Sequence, residues 1–345
     1  LPNVGKSTLF QTLTKKQIDR ANYPFCTIDP NVGVVTVPDK RVDQLAELTD
    51  SARKIYTTIE FIDIAGLVEG AHKGEGLGNQ FLANIRETDA VLYLLRVFSN
   101  DKIINTQTKI DPLKAKGVLD TEMALKDLST VEKRIVSLEK EAKGNNKEAV
   151  KELEVIKKAG EILGKGQMLY ENVSEREKEI LDQYRLLTLK PRVYLLNGKE
   201  SELADEVKNE FEKNDWPYLV MDILSEFETS GLSSEEKKDL GVMGNLKIDS
   251  LIKKCYQLLD LITFLTTGPD ETRAWTIRRG SPAPKAAGVI HTDFEKKFIR
   301  AEAINWEKLI ESGGLAKARE KGLVRTEGKE YIIRDGDVIE IRHGA

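Results

Sequence analysis

A short segment near the start of the chain has the residue types that bind a chain of phosphates. Gly5-Lys6-Ser7 matches the end of the loop G-x-x-x-x-G-K-[ST], in which backbone N–H groups surround phosphates, lysine reaches the terminal oxygens and the hydroxyl binds magnesium. A tripeptide of this kind also arises by chance. The apolar pattern at Leu9, Phe10 and Leu13 favours the functional interpretation, because it predicts a helix whose N-terminus attracts phosphate.

The chain starts within this motif. The first glycine of the loop would precede Leu1, so we expect an N-terminal strand upstream. The loop residues expected to bind nucleotide are Asn3, Val4, Gly5, Lys6, Ser7 and Thr8.

A second segment supplies an acid for the metal ion. Residues 61–66 form an apolar run that ends in Asp63-Ile64-Ala65-Gly66, as in NTPases of the GTPase type, where the aspartate holds magnesium through water and Gly66 adjoins the nucleotide. Thr27 falls in the first switch region and would add its hydroxyl. We therefore expect Ser7, Thr27 and Asp63 to bind magnesium. The alternatives are an aspartate that caps a turn and an ordinary loop threonine.

The residue that activates water is the least defined part of the pattern. In Ras-like enzymes a glutamine after Asp-x-x-Gly orients the attacking water, but Leu67 stands in that place and cannot hydrogen-bond water. The nearest titratable side chain is His72, in a glycine-rich segment, and it is our catalytic candidate. The alternative is an exposed loop histidine, with catalysis by another group or a partner.

Short apolar runs alternate with helical patterns through much of the chain. The runs cover residues 32–37, 58–64, 90–95, 192–197 and 218–223. This alternation predicts an α/β fold with a mostly parallel sheet.

A long polar stretch interrupts the alternation and carries apolar residues at three- and four-residue spacing. These residues are Leu128, Val131, Ile135, Leu138 and Ala142, followed by Ala149, Leu153, Ile156 and Leu163. Gly144-Asn145-Asn146 separates the two groups. The pattern predicts a hairpin of two antiparallel helices, and the alternative is an ordinary bundle packed on the sheet.

The pattern changes again after about residue 261. Strands are predicted at 273–277 and 330–333, and a helix at 293–300. Asp335-Gly336 predicts a terminal hairpin between 331–333 and 338–341. This part of the chain reads as a separate α+β unit.

The composition bounds the functional classes. With 345 residues, 40% hydrophobic and 32% charged, the chain is expected to form two or three globular units. The formal net charge of −4 argues against a generally basic nucleic-acid binder, although it allows a local basic face. Cys26 and Cys255 lack metal-ligand spacing, which suits a reducing compartment and a cytoplasmic protein. No apolar run has membrane-spanning length.

Together these motifs resemble the Obg-like ATPase family, often called YchF, among the translation-factor-related P-loop GTPases. The resemblance covers nearly the whole chain. It rests on residues 1–7, 22–27, 63–67, 73–79 and 272–277, which include Leu1-Pro2-Asn3-Val4, Asn22-Tyr23-Pro24-Phe25-Cys26-Thr27, Lys73-Gly74-Glu75-Gly76-Leu77-Gly78-Asn79 and Thr272-Arg273-Ala274-Trp275. Residues 287–296 and the terminal hairpin match the family's C-terminal module, which is called TGS and has a β-grasp fold.

The resemblance implies a Ras-like P-loop NTPase domain with a helical-hairpin (coiled-coil) insertion, followed by the α+β TGS domain. The expected segments are the NTPase domain at 1–107 and 189–261, the insertion at 108–188 and the TGS domain at 262–345. It also implies a preference for ATP, slow turnover and Mg²⁺ as the cofactor. Relatives with asparagine at the position of Asn3 bind potassium there, and a loop-bracing role is the alternative.

The segment after the predicted fifth strand concerns the choice of base. Guanine-specific relatives carry Asn-Lys-x-Asp there, whereas this chain has Asn197-Gly198-Lys199-Glu200, so the lysine is displaced and the acid is longer. Asn197 has the amide that reads adenine elsewhere, with its oxygen on N6 and its nitrogen on N7. We expect Asn197 and Glu200 to contact the base. The alternative is a degenerate guanine site that still binds GTP weakly.

Two functional classes fit these features. In the first, the chain is a slow ATPase whose switch loops report the nucleotide state to the insertion and the TGS domain. In the second, it is a non-enzymatic nucleotide-gated adaptor for RNA or the ribosome, and a weakly specific GTPase is a further alternative.

A cluster of basic residues in the TGS domain is formed by Lys285, Lys296, Lys297 and Arg300. The last three are predicted to share a helix surface that contacts RNA phosphates. The alternative is a solvated charged helix. We expect a monomer that does not contact membranes.

Overall fold

The structure is a computed structural model that describes residues 2–15, 31–64, 82, 84–99, 110–143, 146–232, 236 and 247–344. The chain divides into two compact units, one of residues 1–12 and 62–244 and the other of residues 13–61 and 245–345. Among the described residues, no helix combines the length and apolar character that crossing a membrane requires.

The described helices are α1 (Lys6–Thr14), α2 (Lys40–Thr49), α3 (Pro112–Ala142), α4 (Lys147–Gly164), α5 (Leu169–Asn172), α6 (Glu175–Leu181), α7 (Asp205–Lys213), α8 (Ile223–Ser230), α9 (Lys247–Leu258), α10 (Ala283–Ile290), α11 (Thr292–Lys296), α12 (Trp306–Ser312) and α13 (Leu315–Glu320). Short 3-10 turns lie at Asp182–Tyr184, Leu187–Leu189 and Glu200–Glu202.

The described strands are β1 (Val32–Thr36), β2 (Lys54–Ile55), β3 (Thr58–Ile62), β4 (Val91–Arg96), β5 (Arg192–Asn197), β6 (Tyr218–Met221), β7 (Leu261–Thr267), β8 (Thr272–Arg278), β9 (Phe298–Asn305), β10 (Arg325–Glu327) and β11 (Asp337–His343). They form a three-stranded sheet in the order β4-β5-β6, a six-stranded sheet in the order β10-β9-β11-β7-β8-β2, and the pair β1-β3.

The first unit is built on the parallel strands β4, β5 and β6, which are three of the five apolar runs predicted to form a mostly parallel sheet. The other two runs correspond to β1 and β3, which form a separate pair. β5 is central and all six of its residues are buried, which explains why it reads as a continuous apolar run. The register pairs Arg96 with Asn197 and Asn197 with Met221, so the carboxyl ends of the three strands meet at one edge. An open parallel sheet places its ligand site at this edge.

The predicted helical hairpin of the first unit is confirmed. Its two helices, α3 and α4, are joined across residues 143–146 and share a core that contains Val131, Leu138, Ala149 and Ile156. Asn146 caps the N-terminus of α4 by accepting hydrogen bonds from the backbone N–H groups of residues 148 and 149. The three- and four-residue spacing therefore marks the buried seam of the hairpin.

A buried carboxylate fixes the base of the hairpin. Asp127 on α3 is fully buried and accepts hydrogen bonds from Leu187 N at 3.1 Å, Thr188 N at 2.8 Å and Thr188 Oγ1 at 2.7 Å. Burial raises the pKa of the Asp127 carboxyl, and the three hydrogen bonds oppose this rise. Because Thr188 lies just before β5, Asp127 ties the hairpin to the chain segment that enters the central strand.

The second unit is α+β, as predicted, but three of its predicted elements were wrong. The predicted strand at 330–333 is reduced to an isolated bridge between Ile332 and Pro282. Residues 331–333 do not form a terminal hairpin, since β11 pairs antiparallel with β9 and parallel with β7. The predicted helix at 293–300 ends at Lys296, and β9 begins at Phe298. Phe298 is buried in the core of this unit, which requires an extended chain there.

Residues 13–61 contribute to the second unit through α2 and β2. β2 extends the six-stranded sheet by pairing with β8, and Val42 and Leu45 of α2 pack in a core with Leu265. Arg41 donates to Asp39 and, through Nη1 at 2.8 Å, to Asp335. The compact units thus divide the chain at other places than the four predicted domain segments, which remain a functional proposal.

Candidate nucleotide-binding site

The predicted phosphate-binding loop leads directly into a helix. α1 begins at Lys6, and its first backbone hydrogen bond runs from Leu9 N to Gly5 O at 2.9 Å. Asn3 and Gly5 both have positive φ, at 59° and 100°, so the backbone turns sharply before the helix. The first N–H groups of a helix have no partner within the helix and carry partial positive charge. The loop and helix thus present the arrangement that phosphates bind.

The two motifs that the sequence predicts to act together lie in contact. Lys6 Nζ is 2.6 Å from Asp63 Oδ1, although 57 positions separate them. The side chains keep 35% and 21% of their exposure, so a ligand can reach them from solvent. Asp63 follows β3 immediately. An ammonium and a carboxylate at this distance form a charge-assisted hydrogen bond, which holds both groups beside the start of α1.

Asn197 connects the phosphate loop to the neighbouring strand end. Its Nδ2 donates to Val4 O at 2.9 Å, and its Oδ1 accepts from Ile223 N at 3.1 Å. The side chain is buried. A Cβ on Gly5 would lie only 2.5 Å from Asn197 Nδ2, so the close approach requires glycine. Asn197 therefore braces the loop and the first turn of α8, and a second N–H and a second lone pair remain on its amide.

The rest of the predicted base-reading segment forms a tight turn after β5. Gly198 N donates to Met221 O at 3.1 Å, and a Cβ on Gly198 would lie 2.9 Å from Phe98 N. Lys199 N donates to Glu202 Oε2 at 2.8 Å. Glu200 is exposed at the start of the 3-10 turn Glu200–Glu202. Glu202, rather than Glu200, thus closes the turn.

Two contributors to the site were missed in the sequence. Glu202 stabilises the turn after β5, and Ile223 supplies the backbone N–H that Asn197 accepts. The signal for Glu202 was its place three residues after Lys199, the spacing of a side chain that reaches back to a turn. Ile223 contributes only a backbone group, which its side-chain type does not encode.

The other predicted site residues divide into two groups. Ser7 is exposed in the first turn of α1, Thr8 is half-buried and Val4 is buried. Thr27, Gly66, Leu67 and His72 lie outside the described residues.

The oxygen donors of Ser7 and Asp63 suit magnesium that is bound together with a nucleotide. They are too few to hold a metal ion through protein ligands alone. The described residues contain no group of three or more histidine, cysteine, aspartate or glutamate side chains able to hold a metal ion. Ser7 and Asp63 offer a hydroxyl and a carboxylate, the hard oxygen ligands that Mg²⁺ takes together with substrate phosphates and water. This donor set suits an ion that arrives with a nucleotide.

Comparisons with known proteins cover both parts of the chain. Residues 1–158 match the family model described as a 50S ribosome-binding GTPase. Residues 261–344 match the model of the YchF GTPase C-terminal region, described as a protein of unknown function (DUF933).

Full-length relatives and a solved structure agree with these matches. The chain is 45% identical to the ribosome-binding ATPase YchF of Bacillus subtilis and 48% identical to that of Haemophilus influenzae, in each case over 99% of this chain and 97% of the relative. It also matches the structure of the Schizosaccharomyces pombe YchF GTPase with a TM-score of 0.87 and 35% identity, over 99% of this chain and 96% of that one. The chain belongs to the YchF family of P-loop nucleotide-binding proteins.

Proposed function

We propose that this protein is a Mg²⁺-dependent NTPase that hydrolyses ATP in preference to GTP and acts as a nucleotide-controlled switch on the ribosome. The contact between Lys6 and Asp63 at the start of α1 carries the proposal, because it joins the phosphate-binding and metal-binding groups in one place. The names of the relatives, ribosome-binding ATPases, support both hydrolysis and ribosome binding. The protein would then work in the cytoplasm as a monomer.

Magnesium would be held by Ser7 and Asp63, with Thr27 of the first switch as the third protein ligand. When bound with ATP, the ion neutralises charge on the phosphate oxygens. Lys6 would contact the terminal phosphate oxygens, and Asn3, Val4, Gly5 and Thr8 would contribute the loop backbone around them. Potassium bound by Asn3 would be a second cofactor of the same loop.

Asn197 is proposed to favour ATP through its remaining amide hydrogen and lone pair. Asn197→Ala is expected to weaken ATP binding by about 1–3 kcal/mol, because it removes hydrogen bonds to the base and the brace on Val4 O. GTP binding should fall less, since guanine shares the N7 acceptor but lacks the N6 donor that the Asn197 oxygen would accept from. The measurement is a titration of ATP and GTP against the parent and the variant.

The outcome for the parent protein decides between ATP and GTP. Tighter binding of ATP supports the proposal, and equal binding of both nucleotides contradicts it. The second candidate, a GTPase of weak specificity, is favoured by the GTPase family model that matches residues 1–158 and by the solved relative, which is named a YchF GTPase. Tighter binding of GTP would select that candidate.

His72 is proposed to orient or deprotonate the attacking water, because Leu67 stands in the place of the usual glutamine. His72→Ala is expected to lower the single-turnover rate at saturating ATP and to leave ATP affinity unchanged, since binding does not require the imidazole. Leu67→Ala is the matched control, because it removes no hydrogen-bonding group. An unchanged rate for His72→Ala, with and without ribosomes, would assign water activation to another group.

The second unit is proposed to contain the TGS domain, at residues 262–345, and to contact RNA of the ribosome. Lys296, Lys297 and Arg300 remain the proposed phosphate contacts, although Arg300 lies on β9 instead of the predicted shared helix. ATP turnover measured with and without ribosomes separates the two functional classes. Turnover by the chain alone supports the enzyme, and the absence of turnover in both conditions supports a non-enzymatic adaptor.

A further inference from the structure

Three aromatic rings lie together on the C-terminal unit. Phe294 and His343 are stacked, with ring centroids 4.1 Å apart and an angle of 17° between the ring planes. His291 adjoins Phe294, with centroids 5.5 Å apart. His291 and His343 are exposed, and Phe294 is half-buried. We call these three side chains the ring stack.

The backbone fixes the position of the ring stack. His343 pairs with Phe298 at the end of β11, after an irregularity in the register next to Arg342. Gly344 N donates to Lys297 O at 2.9 Å, which holds the end of β11 beside the start of β9. The ring of His343 is therefore presented by a paired strand instead of a free chain end, and little ordering is required before a ligand binds.

Positive charge lies next to the ring stack. Lys296, Lys297 and Arg300 are exposed and form no ion pair with any residue that the structure describes. Lys285, in contrast, is 2.8 Å from Glu295. Asp293 Oδ2 is 3.8 Å from His291 Nδ1, so the side of the stack at His291 is acidic. Phosphate groups of a ligand would accordingly contact Lys296, Lys297 and Arg300, on the side of the ring stack next to Phe298 and β9.

We propose that the ring stack binds unpaired bases of single-stranded RNA while Lys296, Lys297 and Arg300 contact its phosphates. An aromatic face next to cations is the arrangement that binds single strands, because every base has a face that stacks and the backbone supplies the negative charge. In a duplex those faces are covered by neighbouring base pairs, so the ring stack would not contact them. This inference rests on the proposed ribosome binding and adds the chemical class of the contact.

The test uses the full chain and two RNA probes, an unstructured single strand of about 12 nucleotides and a blunt duplex of the same length. We expect the single strand to bind more tightly than the duplex. His343→Ala should weaken single-strand binding by about 5- to 150-fold, the loss typical of one base–aromatic stack, and Phe294→Leu should act in the same direction. Ile332→Ala is the control, because it removes an exposed apolar side chain of the same unit.

The outcomes separate this inference from the proposed function. Single-strand binding that His343→Ala leaves unchanged, or duplex binding as tight as single-strand binding, overturns the ring stack as the contact. Co-sedimentation with ribosomes is measured for the parent in parallel. A parent that sediments with ribosomes but does not bind the single strand refutes this inference alone, whereas a parent that fails to sediment refutes the proposed ribosome binding itself.

Discussion

Lys6→Ala is expected to lower ATP turnover by at least about 10²–10³-fold, the cost typical of removing one preorganised group that stabilises charge in a transition state. Lys6 is the first residue of α1 and its ammonium lies 2.6 Å from Asp63. Its removal takes a cation from the phosphate site and leaves Asp63 without this partner. The measurement is steady-state hydrolysis together with ATP titration.

The fold should survive this substitution, because the Lys6 side chain is partly exposed and packs in no core. Lys114→Ala is the matched control, since it removes an exposed lysine from α3 in the same unit. Asp63→Asn, which keeps the side-chain size, should raise the magnesium concentration that turnover requires. Parental turnover in both site variants, with the same magnesium dependence, would refute the assignment of the site.

The place of Asn197 in the site could be predicted because the topology of the parallel sheet enforces it. Strands of an open parallel sheet end at one edge, and a glycine-rich loop before a helix meets that edge. Asn197 was predicted at the end of its strand, and the structure places it there with the predicted strand bounds. What the sequence could not show was that both polar atoms of Asn197 contact backbone groups, at Val4 and Ile223, since backbone partners leave no trace in residue type.

The wrong prediction of a hairpin at the C-terminus has a different cause. Asp335-Gly336 is a strong local hairpin signal, but Asp335 makes long-range contacts instead, accepting from Thr263 N at 2.9 Å and from Arg41. Ile333 N donates to Ser281 O, which draws the segment before the turn towards another part of the unit. Local turn chemistry predicts that a turn forms, and tertiary contacts decide which strands it joins.

The place of α2 also depended on distant residues. Val42 and Leu45 read as the apolar face of an ordinary helix, and nothing within that helix indicates that they pack beside Leu265 and Leu309. Because residues 13–61 separate the phosphate loop from Asp63 in sequence, the natural expectation assigns them to the nucleotide-binding domain. A local sequence pattern cannot predict packing between segments that lie so far apart in the chain.

Gly5→Ala is expected to distort the phosphate loop more than its single added methyl group suggests. Two effects act together: φ at Gly5 is 100°, which side chains rarely adopt, and the new Cβ would lie 2.5 Å from Asn197 Nδ2. Backbone strain of this kind costs about 1–3 kcal/mol. Displacing Asn197 adds about 1–3 kcal/mol if the buried groups of Val4 and Ile223 lose their partner. Urea unfolding should show a lower free energy of unfolding, and ATP titration should show weaker ATP binding by the distorted loop.

A double-mutant cycle separates the two effects. Asn197→Ala removes the atom that the new Cβ would strike, so Gly5→Ala should destabilise the protein less in the Asn197→Ala background than in the parent. The expected coupling lies in the range of about 0.5–3 kcal/mol that residues in contact show. Gly166→Ala is the control, because Gly166 also has positive φ, at 70°, but a Cβ there would meet nothing within 4 Å. The loss of stability caused by Gly166→Ala should come from backbone strain alone, and it should be the same in the parent and in the Asn197→Ala background. Additive effects of Gly5→Ala and Asn197→Ala would show that strain at Gly5, and not its contact with Asn197, requires glycine in the loop.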